Sequence, residues 1–163
     1  MGQENINLVA SELKSLPQGL IPLPIFNEIA RLAALTAIEF IPFRKNDESV
    51  EVLLFRRPAD DSFWPGLLHT PGTILRSSDT SFDDAYTRLF NDELKCKPLS
   101  VKFIDNELIL NERGRVLLFK YLVDVTNIAT GGDFYDVTAL PDDVLPQHRD
   151  MMLEAVKQFK REV

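Results

Sequence analysis

Two adjacent acidic residues, Asp92 and Glu93, are the strongest candidates for chemistry in this sequence. They close a segment, residues 80–95, whose polar start and spaced apolar positions predict a helix. Leu89 precedes them by three and four residues, so the three side chains are predicted to share one helix face. Carboxylate oxygens on that face could hold a hard divalent cation. The alternative is a solvated face on which Arg88 and Asp92 form an ion pair that contributes only about 0.3 kcal/mol.

The segment before this helix favours a defined turn. Gly72 follows Pro71, and Asp79 comes shortly before the helix begins. We predict that Gly72 and Asp79 bracket a loop leading into the helix that contains Arg88, with no continuous helix or strand through residues 76–80. Asp79 is expected to orient Arg88. The alternative is that it caps the helix, where a short carboxylate is favourable in any case.

Residues 72–95 resemble a degenerate Nudix box, the motif G-x5-E-x7-R-E-U-x-E-E-x-G-U in which U is an aliphatic residue. Counted from Thr73, Asp79 stands where the first Glu of the box belongs. If one residue is inserted near Ser81, the second half of the motif is matched by Arg88, Phe90, Asp92 and Glu93.

The departures from the motif bear on activity. Leu89 stands where the family has a Glu that is a metal ligand and often the base. Thr73 and Lys95 replace the first and last glycines, and Asp replaces Glu twice. If the site follows the family's plan, Leu89→Glu should strengthen metal binding. If Leu89 is buried in the core, the same change should destabilise the protein and metal should not reverse the loss.

The resemblance implies an α/β (α+β) fold, a Nudix-like α/β/α sandwich with a mixed sheet over residues 36–163. Residues 1–35 would form an N-terminal helical extension packed on this domain, because their helices carry apolar stripes that need cover. The extension could cap the sheet or form the contact of a homodimer. The implied function is metal-assisted hydrolysis of a diphosphate linkage in a nucleoside-diphosphate derivative. The alternative is a catalytically inactive Nudix-like module that binds a ligand or another protein.

The resemblance also implies roles for single residues. In the hydrolase interpretation, Asp92 and Glu93 are both the metal ligands and the catalytic carboxylates. Mg²⁺ or Mn²⁺ would be weakly held, since two carboxylates leave the other coordination positions to water and substrate phosphates. Gly72, Asp79 and Arg88 would have structural roles in the box.

Three residues upstream of the box are candidates for binding a small, nucleotide-like substrate. Arg57 ends a predicted strand, and its guanidinium suits phosphate recognition, with a solvated side chain as the alternative. Trp64 could stack on a nucleobase, although a single Trp is more often part of the core. His69 precedes the turn at residues 70–72 and is expected to face the cleft, without the partner that would indicate catalysis.

Composition limits the class of protein. The chain has 163 residues, 45% of them hydrophobic, which suits one domain with a substantial core. A net charge of -7 argues against binding to a nucleic-acid backbone. Cys96 is the only cysteine and cannot form an internal disulfide. The apolar stretch at residues 32–43 contains Glu39 and Pro42, so it cannot span a membrane. With no basic-then-apolar leader, we expect a cytoplasmic protein.

Periodicity places the elements around these residues. Apolar positions at helical spacing predict helices at residues 5–16, 25–35 and 146–162, the last with Met152, Ala155, Val156 and Phe159 on its apolar face. Alternation and β-branched content predict strands at residues 37–43, 50–56, 99–104, 107–110, 115–124 and 134–137. A polar turn at residues 44–49 joins the first two strands. Pro42 indicates an edge strand or a strand end.

Overall fold

The computed structural model describes residues 2–19, 21–46, 49–125 and 131–162, with side chains described up to residue 158. Its helices are α1 (Gln3–Ser15), α2 (Leu23–Leu32), α3 (Phe82–Arg88), which a π-helical turn (Leu89–Leu94) continues, and α4 (Pro146–Glu162). Its strands are β1 (Leu35–Asn46), β2 (Ser49–Arg56), β3 (Leu68–His69), β4 (Gly72–Ile74), β5 (Ser100–Asn111), β6 (Gly114–Asp124) and β7 (Asp133–Asp136). Positions 47 and 48 of the predicted turn and the side chain of Phe159 lie outside the described residues. No helix in the described part of the chain is long and apolar enough to cross a bilayer.

The strands form a mixed sheet. Their order is β3-β2-β1-β6-β5, with β4 paired to β1 and β7 paired to β2. β1 and β6 run parallel, from Leu35 opposite Val116 to Phe43 opposite Asp124. The other strand pairings are antiparallel.

Alternation along the central strand gives each face of the sheet its own core. Ile38 and Phe40 face α3 and the π-helical turn, in a cluster completed by Leu53, Ala85, Leu89, Leu94, Val123 and Val125. Ile41 and Phe43 face α4, in a cluster that includes Val52, Leu54, Leu122, Met152, Ala155 and Val156. Side chains at odd and even positions of a strand point to opposite faces, so the sheet is covered by helices on both sides. The predicted α/β/α sandwich with a mixed sheet is confirmed.

The prediction that Pro42 marks an edge or a strand end is wrong. Pro42 lies inside β1, opposite Val123 of β6. On its other side β1 changes partner, pairing with β4 up to Glu39 and with β2 from Phe43 onwards. The N–H of Phe40 donates to Pro71 on that side, and by alternation the nitrogen of Pro42 points the same way. The missing donor therefore falls in the gap between two partners, where no ladder bond is lost.

The strands predicted at residues 99–104 and 107–110 are one continuous strand, β5. Its register against β6 shifts between Phe103 and Asp105. A bulge of this kind takes one extra residue out of the ladder without ending the strand. The polar pair Asp105 and Asn106 therefore does not interrupt the sheet.

The loop predicted between Gly72 and Asp79 is confirmed after residue 74, whereas Gly72–Ile74 form strand β4. Residues 76–80 form neither helix nor strand, and α3 begins at Phe82. Asp79 accepts the backbone N–H of Arg76 at 2.8 Å, which closes the loop. Asp84 accepts the N–H of Ser81 at 3.2 Å. This is one of the two hydrogen bonds of a capping box, and it marks the start of the helix.

The N-terminal extension meets the domain through α2. Ala30 is buried, and α2 lies against β6 at Gly114. By contrast, none of the residues of α1 is buried, and Leu8, Val9 and Leu13 are exposed. The contacts of α2 support packing of residues 23–32 on the domain, whereas the apolar stripe of α1 lacks the cover that was predicted for it.

Candidate functional site

A cleft of about 390 Å³ lies between the sheet and the start of α4. The three residues predicted to bind substrate, Arg57, Trp64 and His69, all line it, together with Gly72 of the box. Part of its lining is apolar and comes from Ala37, Ile109, Val116 and Leu118. Asp92 and Glu93 are not among the lining residues. The structure thus brings the predicted substrate residues together, and Glu93 lies beside the cleft, near enough to interact electrostatically with Glu39 and Arg57.

A buried polar cluster joins β1 to α4 within the cleft. Glu39, only 8% exposed, accepts a hydrogen bond from the hydroxyl of Thr70. The backbone N–H of Thr70 donates to Nδ1 of His148 at 3.2 Å, and the Thr70 hydroxyl oxygen lies 2.6 Å from the same nitrogen. Burial raises the pKa of Glu39 well above its usual value, the Thr70 hydrogen bond opposes this, and the charge of Glu93 adds to it. Thr70 therefore links the carboxyl group of Glu39 on β1 to the imidazole of His148 on α4.

Gly72 is required by this cluster. A Cβ at position 72 would overlap Oε2 of Glu39 and would lie 3.0 Å from the backbone oxygen of Ile38. Glu39 and Gly72 are paired directly across β1 and β4. The box glycine therefore makes room for a carboxyl group from a different strand.

His148 is held as a neutral imidazole. Its Nδ1 accepts the Thr70 N–H, so that nitrogen carries no proton. Burial, followed by the charges of His69 and Arg57, lowers the pKa of His148 to about 3. Nδ1 lies 3.3 Å from Oε1 of Glu39, but a neutral ring makes this a polar contact rather than an ion pair.

We expect His148 to make the folded state less stable in acid. The unfolded chain binds a proton at this side chain near pH 6.5, whereas the folded chain does so only near pH 3. Acidification below about pH 6.5 therefore favours unfolding by up to ~1.4 kcal/mol per pH unit. In His148→Gln the free energy of unfolding should fall less steeply between about pH 6.5 and pH 4.5. Urea denaturation across this range measures both slopes, and parallel slopes would refute the assignment.

The guanidinium of Arg57 is occupied by an ion pair. Nε and one terminal nitrogen lie 3.0 and 2.5 Å from Oδ2 of Asp61. The other carboxylate oxygen of Asp61 accepts the backbone N–H groups of Phe63 and Trp64. Burial pushes the pKa of Asp61 up, but the hydrogen bonds from Arg57, Trp64 and Phe63 outweigh it and hold that pKa below its usual value. Arg57 lines the cleft, but its charge is already paired with Asp61. This ion pair stabilises the loop after β2.

Trp64 belongs mainly to the core. It is 9% exposed, and its indole Nε1 donates to Oε2 of Glu112 at 3.0 Å. The guanidinium carbons of Arg57 and Arg113 lie 5.3 and 4.8 Å from the centre of its ring. These cations cover surface that a nucleobase would need for stacking. Trp64 therefore holds two arginines beside the cleft.

His69 is an uncharged member of the cleft. Its Nδ1 lies 2.6 Å from the carbonyl oxygen of Thr70, to which it donates. Burial and the charge of Arg57 lower the pKa of His69 to about 4. At neutral pH the ring offers hydrogen bonds but no positive charge.

Asp79 and Arg88 connect the loop to the box helix. The Arg88 guanidinium donates to Oδ1 of Asp79 and, at 3.3 Å, to the backbone carbonyl of Ile74. Burial pushes the pKa of Asp79 up, but the hydrogen bond from Arg88 and the N–H of Arg76 hold it below its usual value. These contacts fix α3 against the loop and support a structural role for both residues.

The prediction that Leu89 shares a face with Asp92 is wrong. Leu89 is 1% exposed and packs in the α3-side core, whereas Asp92 is exposed and Glu93 is partly buried. Leu89 and Leu94, five residues apart, are both buried, because the π-helical turn joins residues five apart by its hydrogen bonds and is wider than an α-helical turn. Position 89 therefore points into the core.

Solved structures match this architecture, although no model of a known protein family matches the sequence and no curated protein matches it significantly. The NUDIX domain of Shewanella oneidensis NrtR, complexed with ADP ribose, is 16% identical, with a TM-score of 0.61 over 78% of this chain and 89% of that one. A mutT/nudix family protein from Listeria innocua is 16% identical, with a TM-score of 0.66 over 78% and 95% of the two chains. Shewanella oneidensis NrtR complexed with a 27mer DNA is 14% identical, with a TM-score of 0.63 over 78% and 63%. This chain has the Nudix fold.

The segment that resembles the end of a Nudix box finishes with an unusual backbone conformation. Lys95, aligned with the last glycine of that motif, has a left-handed backbone with φ of 49°. That conformation ends the π-helical turn, and glycine is the residue that adopts it most easily.

The predicted metal ligands are the two carboxylates of Asp92 and Glu93. Among the described residues, no three His, Cys, Asp or Glu side chains are placed to hold an ion together. Burial and the neighbouring charge of Asp92 raise the pKa of Glu93 to about 7, with Arg57 opposing. Because a carboxyl ligand must be deprotonated, a divalent cation would compete with the proton on Glu93. Asp92 and Glu93 alone would leave most positions around Mg²⁺ to water and substrate.

Three functional candidates in the cleft were absent from the predicted site: Glu39, His148 and Arg113. Glu39 could have been identified from the sequence, because a charged residue inside the apolar stretch at residues 32–43 must find a partner if it is buried. His148 stands alone in the sequence, 78 residues from its hydrogen-bond partner Thr70. Arg113 lies in the polar turn between β5 and β6, where arginine is ordinary.

Proposed function

We propose that this Nudix-fold protein is a ligand-binding module that takes a nucleoside-diphosphate derivative in its cleft without hydrolysing it. The observation that carries the proposal is the burial of Leu89 in the core. The Nudix motif would have a carboxylate at this position. The cleft is intact beside this loss. At about 390 Å³ it lies within the size range of sites for small organic ligands.

The chemistry of the cleft suits a ligand with both polar and flat parts. The guanidinium group of Arg113, held beside Trp64, supplies positive charge. Neutral His69 and His148 supply hydrogen bonds, and the strands supply an apolar surface. The NrtR NUDIX domain, of the same fold, was solved with ADP ribose, which is a ligand of this class.

A second candidate is a Nudix-type hydrolase that cleaves the diphosphate linkage with Mg²⁺ or Mn²⁺. One observation favours it: the charges of Asp92 and Glu93 raise neighbouring carboxyl pKa values, Glu93's own and that of Glu39. A divalent cation brought in by substrate phosphates would relieve this repulsion. In this candidate Asp92 and Glu93 are the catalytic carboxylates, and the metal would polarise the phosphorus centre and lower the pKa of an attacking water.

Calorimetric titration with ADP-ribose and with ADP, in chelator and in millimolar Mn²⁺, separates these functions. We expect binding in chelator, and no release of AMP or phosphate in either condition. Release of either product in Mn²⁺ would establish the second candidate. Absence of binding by both ligands would overturn the proposal.

The proposal also concerns location and partners. We propose a cytoplasmic protein whose partner is a small molecule, and the net charge of -7 supports the view that it does not bind a nucleic-acid backbone. A homodimer through the exposed apolar side of α1 is part of the same proposal. Sedimentation of the full chain tests the dimer.

A further inference from the structure

We propose that Arg113 is the residue that recognises the anionic, phosphate part of the ligand in the cleft. This inference deepens the proposed function and rests on it for the identity of the ligand. Arg113 is half-buried in the turn between β5 and β6 and lines the cleft. The chemical class it would take is a phosphate or diphosphate, whose oxygens match the fork of a guanidinium.

The cations of the cleft differ in whether their charge is already paired. Arg57 is paired with Asp61 at 2.5 Å. Lys120 is paired with Glu107 at 3.2 Å and with Asp105 at 3.5 Å. The two histidines are neutral near pH 7.

Arg113 has no such partner. Within the described ranges of the chain, no carboxylate oxygen lies within 4.0 Å of its guanidinium, and its Nε is buried without a hydrogen-bond partner. Burial and the nearby charge of Arg57 lower the pKa of Arg113, while Asp61 and Glu39 act in the opposite direction from farther away. An unpaired cation in a partly desolvated position is unfavourable unless an anion joins it.

The turn holds Arg113 in place without neutralising it. Its backbone N–H donates to Oδ1 of Asn111 at 3.0 Å. The neighbouring Glu112 is engaged with Trp64, and the Arg113 guanidinium lies 4.8 Å from the centre of the Trp64 ring. The positive charge is thus positioned by aromatic packing, which leaves its hydrogen bonds for a ligand.

Titrations of four proteins with inorganic pyrophosphate and with ADP-ribose test the inference. They are wild type, Arg113→Met, Arg113→Lys and Arg115→Met, which removes an exposed arginine from the same hairpin. Arg113→Met should weaken binding of both ligands about tenfold or more, the loss expected when a charged hydrogen-bonding group is removed. The affinity of Arg113→Lys should lie between those of wild type and Arg113→Met. The affinity of Arg115→Met should stay within about twofold of wild type. Urea denaturation confirms that each variant is folded.

The outcomes separate this inference from the proposed function. Equal binding by wild type and Arg113→Met, or an equal loss in Arg115→Met, would overturn the role of Arg113 and leave the proposed function standing. Binding of pyrophosphate that depends on Arg113, without binding of ADP-ribose, would support the role of Arg113 and count against the nucleoside ligand. Absence of binding of both probes by wild type would overturn both.

Discussion

Replacing Leu89 by glutamate is expected to lower the free energy of unfolding by about 4 kcal/mol, and millimolar Mn²⁺ is expected not to restore it. The new carboxylate would lie among Ile38, Phe40 and Val123, whose apolar side chains offer it no hydrogen bond. A metal ion stabilises a protein only if it binds the folded state, and position 89 faces away from Asp92. Thermal and urea unfolding in chelator and in Mn²⁺ measure both effects.

The matched control for this substitution is Asn91→Glu. Asn91 is exposed on the same π-helical turn, so the added charge should change stability by no more than about 0.5 kcal/mol. If Leu89→Glu were instead rescued by Mn²⁺ while Asn91→Glu was not, position 89 would have to reach a metal with the acidic pair. That result would favour the hydrolase candidate over the binding module.

Replacing Gly114 by alanine is expected to cost at least about 3 kcal/mol. Gly114 has φ of 130°, which side chains rarely allow. Its Cβ would also overlap the carbonyl oxygen of Ala30 and lie 3.1 Å from the carbonyl carbon, and backbone atoms cannot move aside as a flexible side chain can. The substitution should therefore both strain the β5–β6 turn and push α2 away from the sheet.

Gly66→Ala separates these two causes. Gly66 also has a positive φ, 70°, but its Cβ would meet no atom within 4 Å. This variant should show the backbone cost alone, about 1 kcal/mol. Hydrogen exchange should find faster exchange in α2 only for Gly114→Ala. Equal losses in the two variants, with α2 unchanged, would show that the contact with Ala30 has no energetic weight.

Most helices and strands could be predicted because the spacing of apolar residues along the chain indicates which local structure would bury them. The helix at residues 146–162 has an apolar stripe and a proline at its first position, and the structure places α4 at the same residues. Pro42 was misinterpreted because a propensity rule carries no information about partners. Only the sheet topology reveals that β1 changes neighbours at that residue.

The cleft was predictable only in part. Arg57, Trp64 and His69 are close in sequence to the box and could be grouped with it. Glu39 and His148 meet only through folding, so no spacing in the chain relates them. Leu89 was misplaced because the prediction assumed a helix repeat of 3.6 residues, and the π-helical turn changes which residues share a side.

The parallel pairing of β1 with β6 has a consequence for how the chain folds. Its partners, such as Leu35 and Val116, are roughly eighty residues apart in sequence, whereas β1–β2 and β5–β6 are hairpins that close locally. Both hairpins can form before they meet, but the two-sided core needs their union. Until residue 124 is available, one edge of β1 is unpaired and Ile38, Phe40 and Ile41 lack their full cover. We therefore expect the joining of these hairpins to limit the folding rate, and the half-built sheet before it to be the state most prone to aggregation.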